Sequence, residues 1–192
     1  MAWDPLDVDF GVWSGVEDGL EVVDNLEGEM LSWNWVWFCT SSYGCLVVDK
    51  YPDGTGLVAI HTQHPHSEAL WNLGKHVEVY DTELFGILQA TILARDWIEA
   101  NPSTNTIWIF VDNQAAIRRC TKPHPTLGQH LSLQIVNNQL TILNSRPNTK
   151  GNIHWVPGHT AVYGNEIADK CAKQAAELTQ HSRQSFTSVT YL

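Results

Sequence analysis

Three acidic residues stand at positions where they could share metal ions. Glu83 falls in the first turn of a predicted long helix, Asp112 directly follows the apolar segment TIWIFV, and Asp169 lies inside the last predicted helix. Clustered carboxylates repel one another, so they persist mainly where a divalent cation neutralises them. Two such ions about 4 Å apart can hold both the attacking water and the leaving oxygen of a phosphodiester. The pattern therefore predicts a hydrolytic site that uses Mg²⁺ or Mn²⁺.

Each of these residues also has an ordinary structural explanation. Glu83 could simply favour the N-terminus of its helix, and Asp112 could cap the helix that follows it. Asp169 could face solvent, as most helical acids do. His159, in the loop GHT before the last helix, is by itself more often a hydrogen-bonded loop residue than a catalyst. Taken one at a time, these residues leave both explanations open.

The elements that would position the acids form a mixed α/β pattern. LSWNWVWFC, GCLVVDK and LVAIHTQ predict three strands in an antiparallel meander, with YPDGTG as the hairpin turn between the last two. From Asp81, the predicted N-cap, the apolar period becomes helical. The strand TIWIFV, two helices, the strand NIHWV and a final helix over about 165–178 complete the order βββαβααβα. This order predicts a mixed sheet in which Asp112 stands at the carboxyl end of a parallel strand, where open α/β sheets place ligands.

Charge is distributed unevenly along the chain. The protein has 192 residues, 43% of them hydrophobic, and a net charge of −10. Nine Asp or Glu and no Lys or Arg fall within residues 1–30, so the remainder is close to neutral. We predict an acidic extension at 1–30, one globular domain at 31–180 and a tail at 181–192. The basic excess common in nucleic-acid-binding proteins is missing, which neither supports nor excludes such a partner.

Cysteine spacing and apolar runs predict the cellular setting. The four cysteines form no C-x-x-C pair, which argues against a zinc ribbon or a disulfide framework and favours a reducing compartment. The N-terminus lacks the basic start and apolar run of a signal peptide. The uncharged stretch at 30–48 is too polar for a membrane span. We therefore predict a soluble protein of the cytoplasm or nucleus that is not secreted.

Three segments together resemble a known family. VYDTELFGILQA, IWIFVDNQAAI and IHWVPGHTAVYGNEIADKCAKQAA resemble the later motifs of type 1 ribonuclease H domains, most of all those of fungal non-LTR retrotransposon polyproteins. The resemblance covers about residues 33–178. It implies a ribonuclease H-like fold, a five-stranded mixed sheet flanked by helices, with Mg²⁺-dependent cleavage of RNA in RNA–DNA hybrids. It also suggests that the chain, with thirty residues ahead of the domain, is a polyprotein fragment or a domesticated copy.

The resemblance assigns roles to individual residues. Glu83, Asp112 and Asp169 match three of the family's four metal-binding carboxylates, which hold two ions. His159 matches a mobile loop histidine that assists water activation or product release.

The nucleic-acid partner is predicted from the same motifs. By resemblance, Asn113 and Gln114 contact the minor groove of a hybrid, and Asn165 lies near the same surface. Arg118 and Arg119 could meet phosphates, although a solvated basic face is an equal alternative. The predicted partner is an RNA–DNA hybrid or another nucleic acid, with no membrane, and the oligomeric state stays open.

The first carboxylate of the family is where the resemblance breaks down. In the family it stands in a strand that reads roughly Tyr-Thr-Asp-Gly-Ser, and the corresponding strand here, WVWFCTSSYG, offers Thr40. A hydroxyl cannot replace the charge, so the nuclease is predicted to be degenerate. Asp53 is the possible fourth ligand, but only about thirty residues separate it from Glu83, too few for the elements that must lie between, so YPDGTG is interpreted as a hairpin turn. Asp49 is a weaker candidate for the same reason. The alternatives are an active nuclease, a nucleic-acid-binding domain that does not cut, or a protein-interaction module.

Overall fold

The computed structural model describes residues 43–51, 54–61, 64–121, 128–158, 162–180 and 182. This part of the chain contains five strands and four helices. None of these helices has the length and apolar character needed to cross a membrane. In chain order the elements are β1 (Tyr43–Tyr51), β2 (Gly54–His61), β3 (His64–Asn72), α1 (Val79–Ala100), β4 (Thr106–Val111), α2 (Gln114–Thr121), α3 (Gln129–Ser145), β5 (Lys150–Trp155) and α4 (Tyr163–Glu177).

The strands join in a single sheet with the order β3-β2-β1-β4-β5. β1, β2 and β3 form an antiparallel meander, while β4 runs parallel to β1 and β5 runs parallel to β4. Parallel neighbours need crossover connections, and the helices α1 to α3 provide them. β1 therefore lies at the centre of the sheet, where it links the meander to the parallel strands.

The predicted assignment of the meander is wrong by one strand. GCLVVDK, predicted as the second strand, belongs to β1, and LVAIHTQ, predicted as the third, belongs to β2. The third strand is β3, HPHSEALWN, which the sequence did not predict. Its Pro, His and Glu residues disfavour a strand by propensity, so its extended conformation comes from pairing with β2. The segment LSWNWVWFC, predicted as the first strand, lies outside the described residues.

The main core fills the space between the sheet and helices α1 and α3. On β4, Ile107, Ile109 and Val111 are buried in this core, whereas Trp108 and Phe110 stack on the opposite face with ring centroids 6.4 Å apart. The largest fully buried apolar side chains are those of Leu57, Leu73, Leu84, Ile87, Ile98, Ile107, Ile109, Ile135, Ile142 and Val48. The alternation of side chains along a strand, as on β4, determines which face of the strand packs against α1.

Helix α4 packs on the other face through a seam of small residues. A Cβ added to Gly56 would lie 2.2 Å from the carbonyl oxygen of Ala168, and one added to Gly54 would lie 2.5 Å from that of Ala172. Only glycine permits this approach of helix backbone to strand backbone. The seam fixes the height of α4 over the sheet and, with it, the position of Asp169.

Helix α1 begins two residues before the predicted N-cap, Asp81. Glu78 occupies the N-cap position, and its carbonyl oxygen accepts hydrogen bonds from the backbone nitrogen and the hydroxyl of Thr82, at 2.9 and 3.1 Å. Asp81 is instead buried within the first turn. The earlier start places Glu83 deeper in the helix, where its side chain meets the sheet rather than the helix terminus.

Candidate active site

Glu83 is held against the sheet by the close packing of α1 on β1. Its side chain is fully buried. Three residues further along, Gly86 lets the helix approach, since an added Cβ would lie 2.4 Å from Cγ1 of Val48. Residues two apart on a strand share a face, so Lys50 stands on the same face as Val48 and next to Glu83. The Gly86 contact therefore brings Glu83 to the carboxyl end of β1.

Asp112 directly follows β4, and residues at and just after the end of β5 hold it in place. The backbone nitrogen of Val156 donates to the carbonyl oxygen of Val111 at 3.0 Å, and Nε1 of Trp155 donates to that of Asp112 at 3.0 Å. A Cβ added to Gly158 would lie 2.8 Å from Oδ2 of Asp112. The loop that leaves β5 therefore passes directly against the carboxylate.

Lys50 joins these two acids. Its Nζ lies 2.7 Å from Oδ1 of Asp112, to which it donates a hydrogen bond, and 3.4 Å from Oε2 of Glu83. The two carboxylate oxygens approach the same nitrogen, so they converge on one position, as the sequence predicted for this pair. The side chains are well shielded, with exposed fractions of 19% for Lys50, 9% for Asp112 and 0% for Glu83.

The electrostatics of this cluster follow from burial. A carboxylate without water is strongly destabilised unless a positive charge lies close by, and Lys50 provides that charge. Burial, with a smaller contribution from the negative charge of Glu83, raises the pKa of the Cys120 thiol, which donates to the carbonyl oxygen of Ala116 at 3.2 Å. Cys120 therefore stays protonated and does not act as a nucleophile.

The carboxylates of Glu83 and Asp112 fit a divalent ion, because both already approach one cationic group, the ammonium of Lys50. Mg²⁺ is commonly held by one or two carboxylates together with water and substrate phosphates. Within the described ranges, no group of three or more His, Cys, Asp or Glu side chains is placed to hold a metal ion. The described residues therefore bring together the carboxylates of Glu83 and Asp112, and no larger set of such ligands.

Asp169 is not part of that cluster. Its Oδ2 accepts a hydrogen bond from Nζ of Lys173, one turn further along α4, at 2.5 Å. The exposed fractions are 11% for the Asp169 side chain and 49% for that of Lys173. The third predicted acid is thus paired with a lysine of its own helix.

Asn113 and Asn165 have structural positions that the sequence did not predict. Oδ1 of Asn113 accepts hydrogen bonds from the backbone nitrogens of Ala115 and Ala116, at 3.0 and 3.1 Å. Asn113, rather than Asp112, therefore caps α2. Asn165 is buried in the first turn of α4, so it does not lie on the surface where a hybrid contact was expected.

The predicted basic cluster is divided by the packing of α2. Arg118 is exposed, whereas Nε of Arg119 donates to the hydroxyl of Tyr80 on α1 at 3.2 Å. Gln114, the first residue of α2, is half-buried. Of the predicted nucleic-acid contacts, Arg118 is exposed, and Asn113, Gln114 and Arg119 are half-buried.

Three predicted positions lie outside the described residues, namely Thr40, Asp53 and His159. Their roles stay predictions. Gly158 is described, so the loop that carries His159 is known to start beside Asp112.

Sequence reasoning missed Lys50, although a signal was present. Lys50 interrupts an apolar strand segment two residues after Val48, and the period of two places both residues on one face. What could not be read from the sequence is the partner strand. The parallel register ends at Val48 opposite Val111, so Asp49 and Asp112 are the next residues of two adjacent strands.

The chain is similar to one protein family and to a solved structure. The family model for RNase H matches residues 44–177, from the start of β1 to the last residue of α4. A solved structure of RNase H1 from the halophilic archaeon Halobacterium salinarum NRC-1 is 18% identical, with a TM-score of 0.49, and the similarity covers 69% of this chain and 95% of that one. Comparison with curated proteins gives no match. Because the family match takes in all nine described elements and both converging acids, the chain belongs to the RNase H family.

Proposed function

We propose that the chain is a nuclease that hydrolyses the RNA strand of RNA–DNA hybrids with the help of divalent ions, Mg²⁺ or Mn²⁺. The observation that supports this most is the convergence of Glu83 and Asp112 on one cationic position at the carboxyl end of β4. Membership of the RNase H family supports the substrate class. The motif HWVPGHTAVYGNEIADKCAK supports an origin in a retrotransposon polyprotein.

Asp49 is the proposed source of the first carboxylate. It directly follows Val48, whose parallel partner is Val111, and Asp112 directly follows Val111. Two acids thus follow the paired segments of neighbouring strands at the same level. Thr40 precedes β1 and also precedes the first residue of the family match. The activity therefore need not be lost through Thr40, and Asp53 becomes the second choice for the ligand.

The chain's own residues have distinct tasks in this proposal. Bound divalent ions would supply Lewis acidity and an activated water. Glu83 and Asp112 hold that charge in place, and the hydrogen bond from Trp155 fixes the backbone of Asp112. His159, which directly follows Gly158, assists water activation or product release. Arg118 contacts a phosphate of the hybrid.

Cleavage of a labelled RNA–DNA hybrid tests the proposal. The wild type should cut in Mg²⁺ or Mn²⁺, and Asp112→Asn should lower the rate by about a hundredfold or more, because a weakened metal site forfeits several kcal/mol. Asp96→Asn is the matched control, since Asp96 is an exposed acid near the other end of α1 and pairs with Arg95. Equal loss in both variants, or no cutting by a folded wild type, would contradict the proposal.

The same assay identifies the first carboxylate. Asp49→Asn should abolish cutting as fully as Asp112→Asn does, whereas Asp53→Asn should leave it in place. The reverse result would assign the ligand to Asp53. Loss with neither variant would mean that the site works without a carboxylate from either position.

A second function, hybrid binding without cleavage, is favoured by one observation. Lys50 already offsets one of the two negative charges of Glu83 and Asp112, so the cluster has a cation without any metal ion. A binding titration with an uncleavable hybrid separates the two functions. Tight binding with no cutting, at any concentration of Mg²⁺ or Mn²⁺, would identify the domain as a binding module.

A further inference from the structure

We propose that Lys50 is an internal counter-ion that competes with a divalent ion for Glu83 and Asp112, so that metal binds only when the lysine leaves the cluster. The inference rests on the proposed metal site and adds a residue that controls its occupancy.

The geometry makes the two cations mutually exclusive. Nζ of Lys50 lies 2.7 Å from Oδ1 of Asp112 and 3.4 Å from Oε2 of Glu83. A divalent ion held by the carboxylates of Glu83 and Asp112 would need the region that the ammonium occupies. Repulsion between the two positive charges in this shielded site would be strong, because little water is present to screen it. One cation must therefore replace the other.

Lys50 is the member of the cluster that can move. Its side chain keeps 19% of its surface exposed, whereas that of Glu83 is fully buried. A lysine side chain is a flexible four-carbon stem with a strongly hydrated end, so it can extend into water while its stem stays on the protein. Glu83 and Asp112 are held by α1 and by the end of β4, so they form the fixed part of the site.

Two properties follow from this exchange. The protein keeps its fold without metal, because Lys50 compensates the buried carboxylates. Its apparent affinity for metal is the intrinsic affinity multiplied by the fraction of molecules in which Lys50 has left the cluster. Removing the ammonium should reverse both properties, with tighter metal binding and a less stable metal-free protein.

Direct titration of the full chain with Mn²⁺, followed by electron paramagnetic resonance or calorimetry, tests the inference. Lys50→Met should bind Mn²⁺ about tenfold more tightly than the wild type, because the competent fraction rises towards one. Lys50→Arg keeps the charge and should gain nothing. Lys150→Met is the matched control, since Lys150 is exposed and pairs with Thr106 at the opposite end of β4. It loses the same unit of charge and should bind as the wild type does.

Thermal unfolding gives a readout that does not depend on catalysis. In metal-free buffer Lys50→Met should melt below the wild type, and Mn²⁺ should raise its Tm by more than it raises that of the wild type. Lys50→Gln, which keeps a polar end on a shorter stem, serves if Lys50→Met does not fold without metal. Refolding of either variant on addition of Mn²⁺ would also support the inference.

The Mn²⁺ titrations distinguish a failure of the Lys50 proposal from a failure of the proposed metal site. Equal Mn²⁺ affinity in the wild type, Lys50→Met and Lys150→Met would overturn the role of Lys50 and leave the metal site standing. No Mn²⁺ binding by any of these folded proteins would overturn both, since there would be no metal for the lysine to exclude.

Discussion

Two lysines pair with candidate catalytic acids on opposite faces of the sheet, in contrasting surroundings. Lys50, on the α1 side, is 19% exposed and contacts acids that are 0% and 9% exposed. Lys173, on α4, is 49% exposed and pairs with Asp169, which is 11% exposed. The acids Asp112 and Asp169 are similarly shielded, so the two pairs differ in how far water reaches the lysine and in the complete burial of Glu83. The contribution of an ion pair to stability therefore depends on how well water can solvate the acid once the pair is broken.

The packing around the two pairs differs in the same way. On the α1 side, Gly86 meets side chains, those of Val48 and Thr55. On the α4 side, Gly54 and Gly56 meet the backbone of the helix itself. Side chains can shift by changing rotamer, whereas a helix backbone moves only as a unit. The α1 side therefore has an adjustable contact beside the Lys50 pairs, and the α4 side has a rigid contact beside the Lys173 pair.

The largest effect on stability is expected for Gly56→Ala. The new methyl group would lie 2.2 Å from the carbonyl oxygen of Ala168 and 2.6 Å from the backbone nitrogen of Ala172. Overpacking of this kind costs about 3 kcal/mol or more when backbone must move. Gly86→Ala, the matched change on the α1 side, should cost less, because Val48 can yield and alanine favours the helix by about 1 kcal/mol. Urea unfolding of both variants measures the difference, and equal losses would show that α4 is not the rigid side.

The next largest effect is expected for Lys50→Met in metal-free buffer. Its removal leaves two shielded carboxylates without their cation and should lower the free energy of unfolding by about 2 to 3 kcal/mol. The double variant Lys50→Met/Glu83→Gln should recover part of this loss, because the fully buried charge disappears with its partner. A double-mutant cycle by urea unfolding checks the prediction. Simple additivity would mean that Glu83 does not depend on Lys50.

Strong local patterns allowed most elements to be predicted from the sequence. The strand TIWIFV is β4 without any change of bounds, and the last helix, predicted over about 165–178, is α4 at Tyr163–Glu177. A continuous apolar run and a helical period identify such elements. β3 was missed because HPHSEALWN has no such pattern and becomes a strand only beside β2. The resulting shift of one strand is the reason why Asp49, rather than Asp53, is proposed as the first carboxylate.

The sequence identified site residues only where an acidic residue stands at a position that matches a known motif. Glu83 and Asp112 were identified because acids at these places resemble a known motif, and the structure brings them together. Lys50 was not identified, because its role depends on the parallel register between β1 and β4. Periodicity within a segment cannot reveal the strand beside it. The same limit explains why Asp169, correctly placed on α4, was expected next to the other acids.

A smaller effect is expected for His154, which lies on the face of the sheet opposite α1. Its ring packs beside those of Trp108 and Phe110, with centroids 4.9 and 6.2 Å away. Burial lowers the pKa of His154 below its ordinary value of 6.5. The unfolded chain therefore takes up the proton more readily, so stability is complete above pH 6.5 and falls as the pH drops through the lower folded-state pKa. His154→Gln should flatten this decline in urea unfolding measured at several pH values, and an unchanged slope would assign the decline to other groups.

The smallest effect is expected for Lys173→Met, which removes a half-exposed lysine from the shielded Asp169 on α4. Asp169 precedes Lys173 by one helical turn, and such pairs contribute less than about 0.5 kcal/mol at ordinary salt. In 1 M NaCl the contribution should vanish, because the screening length falls to about 3 Å. The loss caused by Lys50→Met should persist in the same buffer, since salt screens a shielded ion pair much less. Urea unfolding of both variants at low and high salt therefore tests the contrast between the two lysines directly. An equal response to salt would mean that the Lys50 cluster is as open to solvent as the surface of α4, and a loss above 1 kcal/mol for Lys173→Met would mean that Asp169 needs its lysine as much as Glu83 does.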